Sequence, residues 1–356
     1  MANVIDVRYN KNNEIIKYQF FQKLAHKKEG KKKPKTFETI RSYANAIHEY
    51  EVSTKFKDFK KYTYNDAIQF KYYILDKKNK NTGETISEST FTHYLGFVYE
   101  LFAHLIANDK NFKHITQNDI DYITPDQNTS NIATQRREPK SYLISEILST
   151  IRSIKGNTPF ELRDKAMISL VLLTGARIEA MMTARMDTIF YSSQYKVWIF
   201  EQDPKKGVNT KNRKYIYSCF VGNTQDLINN IIIWQEYLIN QGFDEKDPFF
   251  PQMNSTFTKE GLYATQLNKI TIESDSWVRE SVFKKSFIKN GLKYIKPHNF
   301  RHTLTRAVKK MPNGVEFAIA LAQNFGQKNE MPVLYSSYGG DYIARQVELL
   351  SNFPLE

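Results

Sequence analysis

The sequence predicts a mainly α-helical protein with one small antiparallel β-sheet, divided into an all-helical N-terminal domain and a mixed α/β C-terminal domain. Three observations lead there. Apolar residues recur at helical spacing from residue 11 to about Ile123; a polar, period-free stretch with two prolines follows at 124–140; and two aromatic and β-branched runs, at 195–200 and 214–220, interrupt the helical rhythm of the second half. At 356 residues the chain is also longer than one hydrophobic core usually organises.

The first domain is expected over 1–123. Ile15, Ile16, Phe20, Phe21 and Leu24 give its first helix one apolar face. A basic run follows, with six lysines among the nine residues 27–35, broken by Gly30 and Pro34, and reads as a loop: a solvated linker or a phosphate contact. Ile40, Tyr43, Ala44 and Ile47 mark a second helix, Ala67, Phe70 and Ile74 a third, and Phe91, Leu95, Val98, Leu101, Phe102 and Leu105 a long fourth. Thr63 or Asn65 and Ser87 are the expected N-caps, and Gly83 marks the loop between. Residues 124–140 read as the interdomain linker.

The second domain, 141–356, opens with helices at 143–154 and 162–173. The two β-type runs flank a Pro/Lys/Gly/Asn segment, and helices resume at about Asn223. The tail 342–356 carries Ile343, Val347 and Leu350 at helical spacing, a stripe suited either to tethering a neighbouring copy or to packing on its own domain.

Charge and cysteine content narrow the function classes. Fifty-one Lys+Arg against 38 Asp+Glu leave a net charge of +13, a surface that draws polyanions and releases their counterions. The single cysteine, Cys219, excludes an internal disulfide and a cysteine-rich zinc cluster, and its neighbours Tyr217, Phe220 and Val221 suit a packed, inert thiol. With no long apolar run and no signal-peptide core at the N-terminus, the expectation is a cytoplasmic, nucleoid-associated protein that does not touch membranes.

Four signals carry chemistry. In Thr174-Gly175-Ala176-Arg177 an apolar helix breaks at a glycine, anchoring an arginine whose planar fork can hold a phosphate through two hydrogen bonds. In His298-Asn299-Phe300-Arg301-His302, residues three apart share a helix face, so His298 and Arg301 can converge on one ligand. Ser336-Ser337-Tyr338-Gly339-Gly340 sets a tyrosine between small residues, with Tyr335 and Tyr342 nearby. The segment from Asp203-Pro204-Lys205-Lys206-Gly207 through Lys211 to Lys214 places lysines between the expected strands.

In their order (an arginine, a hairpin lysine, HxxR, then a tyrosine near the C-terminus) these signals resemble the tyrosine recombinase, or phage integrase, family. The resemblance covers about residues 12–356, with the motifs confined to the second half. It is most similar to integrases of bacterial mobile elements whose nucleophile lies in a Ser-Tyr-Gly context. It implies that the helical domain is a core-binding domain closing with the catalytic domain around duplex DNA. Arg177 and Arg301 become the catalytic arginines, His298 the histidine before the second, and Tyr338 the nucleophile, with Tyr335 as rival. The lysine falls on Lys205, with Lys206 and Lys211 as rivals. Where the family usually reads Leu-Gly-His, this chain has Phe325-Gly326-Gln327, which puts Gln327, unable to carry a proton at neutral pH, in the place of the usual His or Trp.

The implied activity is site-specific DNA recombination, integration or excision, by transesterification through a 3′-phosphotyrosyl intermediate. The arginines would neutralise the phosphate, His298 would take the tyrosine proton, and Lys205 would protonate the leaving 5′ oxygen. The implied partners are double-stranded DNA, further copies forming a tetramer on it, and directionality or host DNA-bending factors. No cofactor and no metal are expected, since the chain shows neither a P-loop nor a clear metal-ligand cluster; Glu179 and Asp187 are read as braces or caps. Two alternatives use the same residues: a type IB topoisomerase-like relaxing enzyme, and a catalytically impaired DNA-binding accessory protein.

Overall fold

The computed structural model describes residues 9–26, 34–79, 83–134, 140–222, 224–257, 263–308, 311–327 and 342–355. The chain forms two compact units, Met1–Arg137 and Glu138–Glu356.

The first unit is helical. Helices α1 (Lys11–Ala25), α2 (Phe37–Ser53), α3 (Tyr64–Leu75) and α4 (Glu88–Asn108) follow the apolar period of the sequence. Their buried faces meet in an aromatic core where Tyr50 lies edge-on to Phe70 and Phe102, each with ring centroids 5.4 Å away. Ser87 caps α4 through Oγ, which accepts from the Thr90 amide at 3.2 Å, and Thr63 caps α3, its amide and hydroxyl both donating to Asp66 Oδ2. Glu51 is fully buried but not orphaned: Lys17 reaches one carboxylate oxygen at 2.6 Å and Asn13 the other at 3.1 Å. The short helix α5 (Gln117–Asp121) follows.

Within the stretch expected to be a linker, residues Gln127–Thr134 form helix α6, packed on α4. Asp126 starts it, Oδ1 accepting from the Thr129 amide and Oδ2 from the Thr129 hydroxyl. This cap supplies locally what the segment lacks in apolar periodicity.

The second unit is built around α8 (Pro159–Thr174), preceded by α7 (Ile144–Ser153). From Ala166 to Thr174 every residue of α8 is buried, so the helix is enclosed on all sides and shows no amphipathic stripe. Short helix α9 (Ile178–Met182) leads to a three-stranded antiparallel sheet of β1 (Ile189–Ser192), β2 (Val197–Gln202) and β3 (Ile216–Cys219), in that order, with Ile189 opposite Phe200 and Ile199 opposite Cys219. Helix α10 (Gln225–Asn240) packs on α8.

A second antiparallel pair, β4 (Pro251–Phe257) and β5 (Tyr263–Ile272), occupies a region where only helices were expected. Its sequence is rich in Thr, Asn and Gln, and among its described apolar side chains Met253, Leu267 and Ile272 pack on the core, so no clean alternation announces it. Then α11 begins at Asp275–Trp277, passes through a π-helical turn at Val278–Lys284 and ends at Lys285–Lys289. A 3-10 turn at Pro297–Asn299 runs into α12 (Phe300–Val308), followed by α13 (Gly314–Asn324) and α14 (Tyr342–Ser351).

The tail packs on its own unit. Val347, Leu350, Phe353 and Leu355 are buried in the same core as α8, and the Gly222 amide donates to the Leu350 carbonyl at 2.7 Å. No helix among the described residues is long and apolar enough to cross a membrane.

Candidate active site

The C-terminus of α8 is the junction that assembles the site. A helix end leaves carbonyls without intrahelical donors, and here distant segments supply them. The Val221 amide donates to the Leu173 carbonyl at 2.7 Å, and Asn324 Nδ2 to the Thr174 carbonyl at 3.1 Å. Gly175 ends the helix in the left-handed region at φ 61°, and a Cβ there would lie 2.1 Å from Cε1 of the buried Phe325 ring. Only glycine fits, on both counts.

Two residues beyond, Arg177 is the N-cap of α9 and lies half-buried. From the other direction, Tyr142 sets the approach to α12: its hydroxyl donates to the Lys293 carbonyl and accepts from the Ile295 amide, while its own carbonyl takes the Thr303 hydroxyl. Pro297 then starts the 3-10 turn that presents His298 and, three residues on, Arg301.

Arg301 is 3% exposed. Its Nε donates to the Gly175 carbonyl at 2.6 Å, and its guanidinium carbon lies 4.9 Å from the Phe325 ring centroid. Both Nη atoms are buried and, among the described residues, have no hydrogen-bond partner. Burial, reinforced by the nearby Arg177 charge, pulls its pKa down to about 9. Arg177 is lowered as well, by burial, with Glu179 opposing. His298 is held below its ordinary 6.5 by desolvation and then by Arg301, Arg177, His302 and Arg279, so it is a neutral imidazole at pH 7.

These groups open onto a cavity of about 410 Å³ lined by Arg177, Lys211, Asn212, Lys214, His298, Arg301, Gly326 and Gln327. None of the lining residues is acidic. Gln327 is placed there by the end of α13, where the Gly326 amide bonds the Gln323 carbonyl and the Gln327 amide the Ala322 carbonyl. The structure therefore brings Arg177, His298, Arg301 and Gln327 together.

It does not place Lys205 on the cavity wall. Lys205 sits exposed on the 3-10 turn Pro204–Lys206, which Asp203 fixes by accepting the Lys205 amide on its side chain and the Lys206 amide on its carbonyl. Lys206 is engaged elsewhere, 2.7 Å from Glu201 Oε2 and 3.6 Å from Asp187 Oδ2. Its pKa is raised, chiefly by the Glu201 hydrogen bond. The lysines at the cavity are Lys211 and Lys214, on either side of Asn212 and Arg213, both in the left-handed region. Lys214 entered the sequence reading only as the end of the lysine-bearing segment and Asn212 not at all; an asparagine within the polar run 209–214 is the one signal that could have marked the bend. Tyr338 and its rival Tyr335 lie outside the described residues.

Neither a protein-family model nor a curated protein matches the chain by sequence. Solved structures do match by shape. A lambda integrase dimer bound to a COC′ core site superposes with a TM-score of 0.56 at 13% identity, covering 92% of this chain and 78% of that one. The XerH site-specific recombinase bound to palindromic difH substrate, a post-cleavage complex, gives 0.53 at 14% identity, over 89% and 77%. The Tn1549 transposon integrase (residues 82–397) in complex with circular intermediate DNA gives 0.52 at 14% identity, over 94% and 98%. The helical first unit, the small antiparallel sheet and the Arg177–Arg301 junction thus sit in a chain with the integrase fold of the tyrosine recombinases.

Proposed function

We propose that the protein is a site-specific DNA recombinase that cleaves and rejoins duplex DNA through a 3′-phosphotyrosyl intermediate on Tyr338. The observation that carries the reading is the guanidinium of Arg301, buried with both Nη atoms unpartnered among the described residues and beside a cavity whose wall also carries Arg177, Lys211 and Lys214. Leaving buried donors unsatisfied costs about 1–3 kcal/mol, more when charged. Such an arrangement is maintained where an anion completes it, and a phosphodiester gains negative charge on its non-bridging oxygens as it passes through a pentacoordinate state.

In this proposal each group has a role. The arginines neutralise the non-bridging oxygens. His298, neutral at pH 7, accepts the phenol proton as the Tyr338 oxygen bonds to phosphorus. The 5′ oxygen departs with the electron pair of the broken P–O bond and takes a proton from a loop lysine, Lys211 or Lys214. Gln327 contributes a hydrogen bond to the phosphate and no proton. The reverse step, with a 5′ hydroxyl of another strand as nucleophile, completes exchange without net change in bond energy. The net charge of +13 suits duplex DNA as partner, and assembly into a tetramer has a counterpart in a lambda integrase tetramer bound to a Holliday junction, which shares the fold at a TM-score of 0.54.

The experiment is incubation with duplex DNA spanning the ends of the element that carries the gene, nicked to trap the covalent product. Wild type is expected to yield a protein–DNA adduct that survives denaturation. Tyr338→Phe should yield none, and Tyr335→Phe should retain it. Binding without any adduct from wild type overturns the proposal in favour of an accessory protein, and relaxation of plasmid lacking the site favours a topoisomerase.

A further inference from the structure

The loop between β2 and β3, residues 203–215, carries the two lysines that line the cavity among the described residues, and one carboxylate ties both of its arms. Glu201 stands on β2, opposite Tyr217 of β3. Its Oε2 receives Lys206 Nζ from the outgoing arm at 2.7 Å, and its Oε1 receives the Tyr215 hydroxyl from the returning arm, also at 2.7 Å. Asp187 backs the first contact: it lies 3.6 Å from Lys206 and 3.2 Å from Arg185, whose Nη1 in turn donates to the Lys206 carbonyl at 3.3 Å. Val208, 1% exposed, pins the middle of the loop to the core, its amide donating to the Asp203 carbonyl at 3.2 Å; beyond it the Asn209 amide bonds the Thr183 hydroxyl, the Arg213 amide the Thr210 carbonyl and the Thr210 hydroxyl the Lys214 carbonyl.

We infer that Glu201 is a positioning residue: by gripping Lys206 and Tyr215 it holds the β2–β3 loop in the shape that sets Lys211 and Lys214 beside Arg177 and Arg301. This rests on the recombinase reading for its chemical consequence, since the lysine so placed is the one that protonates the leaving 5′ oxygen. The clasp also assigns Lys206 a structural task. Its ammonium is committed to Glu201 and Asp187, which removes it from the contenders for proton donor. Tyr215, more than half exposed, is held by the same carboxylate, so it serves the loop and not the core.

Two measurements test the role separately from the overall function. The first needs no DNA. In Glu201→Gln and Tyr215→Phe, amide hydrogen exchange at Val208 and Arg213, both bonded within the loop, should quicken tenfold or more, while Ile199 and Cys219 in the β2–β3 ladder and the unfolding midpoint stay near wild type. Unchanged exchange in the loop overturns the clasp. The second compares single-turnover adduct formation on ordinary DNA with formation on DNA whose 5′-bridging oxygen, at the bond wild type attacks, is replaced by sulfur. The tyrosyl oxygen–phosphorus bond forms and the P–S bond breaks in the same way, but a thiolate leaves without needing a proton.

Glu201→Gln is expected to slow the ordinary substrate at least tenfold and the sulfur substrate less than twofold. Equal slowing on both overturns the positioning role even if exchange rises. Wild type that forms no adduct on either substrate instead overturns the recombinase reading, and the proton-donor role falls with it.

Discussion

Arg301 Nε and the Gly175 carbonyl, 126 residues apart in sequence, are joined by a 2.6 Å hydrogen bond at the C-terminus of α8, whose last nine residues are all buried. That bond spends the guanidinium's one sideways donor on the scaffold and leaves its two terminal nitrogens for the cavity. The glycine is thus both helix terminator and the group that aims the arginine.

Gly175→Ala tests this geometry. The left-handed φ of 61° disfavours alanine, and the added Cβ falls 2.1 Å from the Phe325 ring, which is buried and stacks on Arg301. The combined backbone and packing penalty is expected to be about 2–4 kcal/mol, read as a lowered urea midpoint. A stability within about 0.5 kcal/mol of wild type, the range of ordinary surface changes, would show that neither the left-handed backbone nor the Phe325 ring requires glycine here.

Arg301→Met should do the reverse. A buried charge whose Nη atoms have no partner among the described residues is replaced by an apolar side chain of similar length, at the loss of one hydrogen bond, so the fold should gain about 1–3 kcal/mol. Inorganic sulfate should raise the melting temperature of wild type by mass action and leave the variant nearly unmoved. A variant less stable than wild type, or equally stabilised by sulfate, would mean that the two Nη atoms are not the anion's partners.

Most of the helical scaffold and the arginine–histidine constellation are legible in the sequence, through helical spacing in most elements and through continuous apolar content in α8. Phe91 to Leu105 in α4 and Met167 to Leu173 in α8 mark their helices by apolar content, and HxxR puts His298 and Arg301 on one face. Three features were hidden because their causes are tertiary. Helix α6 depends on the Asp126 cap and on α4. The β4–β5 pair uses polar residues whose pairing is only with each other. The reach of each loop lysine is set by Glu201 and by the left-handed turn at Asn212–Arg213, so the wording around Lys205 pointed to a residue that the fold leaves outside the cavity. The depth of Arg301 also could not be read, since a helix-face argument says which side it shares with His298 and nothing about what covers it.

The pH dependence follows from His298. Its folded pKa is depressed below 6.5, so the neutral form that accepts a proton accumulates earlier on raising the pH than for a free imidazole. Adduct formation should rise with pH along a limb whose midpoint lies below 6.5 and then level off. His298→Gln should remove the limb and slow the reaction about 10²–10⁴-fold. In stability the sign is the same: the unfolded chain binds the proton more readily, so the charging penalty is fully present at low pH and is relieved as pH rises through the folded pKa to the ordinary one. A limb centred above 6.5 would point to a different titrating group.

Asn324 is the hidden joint between this site and the tail. Fully buried, its Nδ2 donates to the Thr174 carbonyl at the end of α8 and to the Cys219 carbonyl at the end of β3, and its Oδ1 accepts from Gln346 of α14 at 2.8 Å. Asn324→Leu would fill a similar volume while removing the Asn324 partner of two carbonyls and of one Gln346 N–H, Gln346 Nε2 keeping its bond to the Tyr217 carbonyl at 3.1 Å; each buried group left unpaired costs about 1–3 kcal/mol before relaxation. Because Gln346 is the polar anchor of the tail, part of that cost can be escaped by releasing α14. The variant should therefore lose protection in residues 342–351 first, seen by hydrogen exchange or limited proteolysis, with α8 following only at higher denaturant. Simultaneous loss of both would show that the tail is an inseparable part of the core, and that the polar joint does not govern its docking.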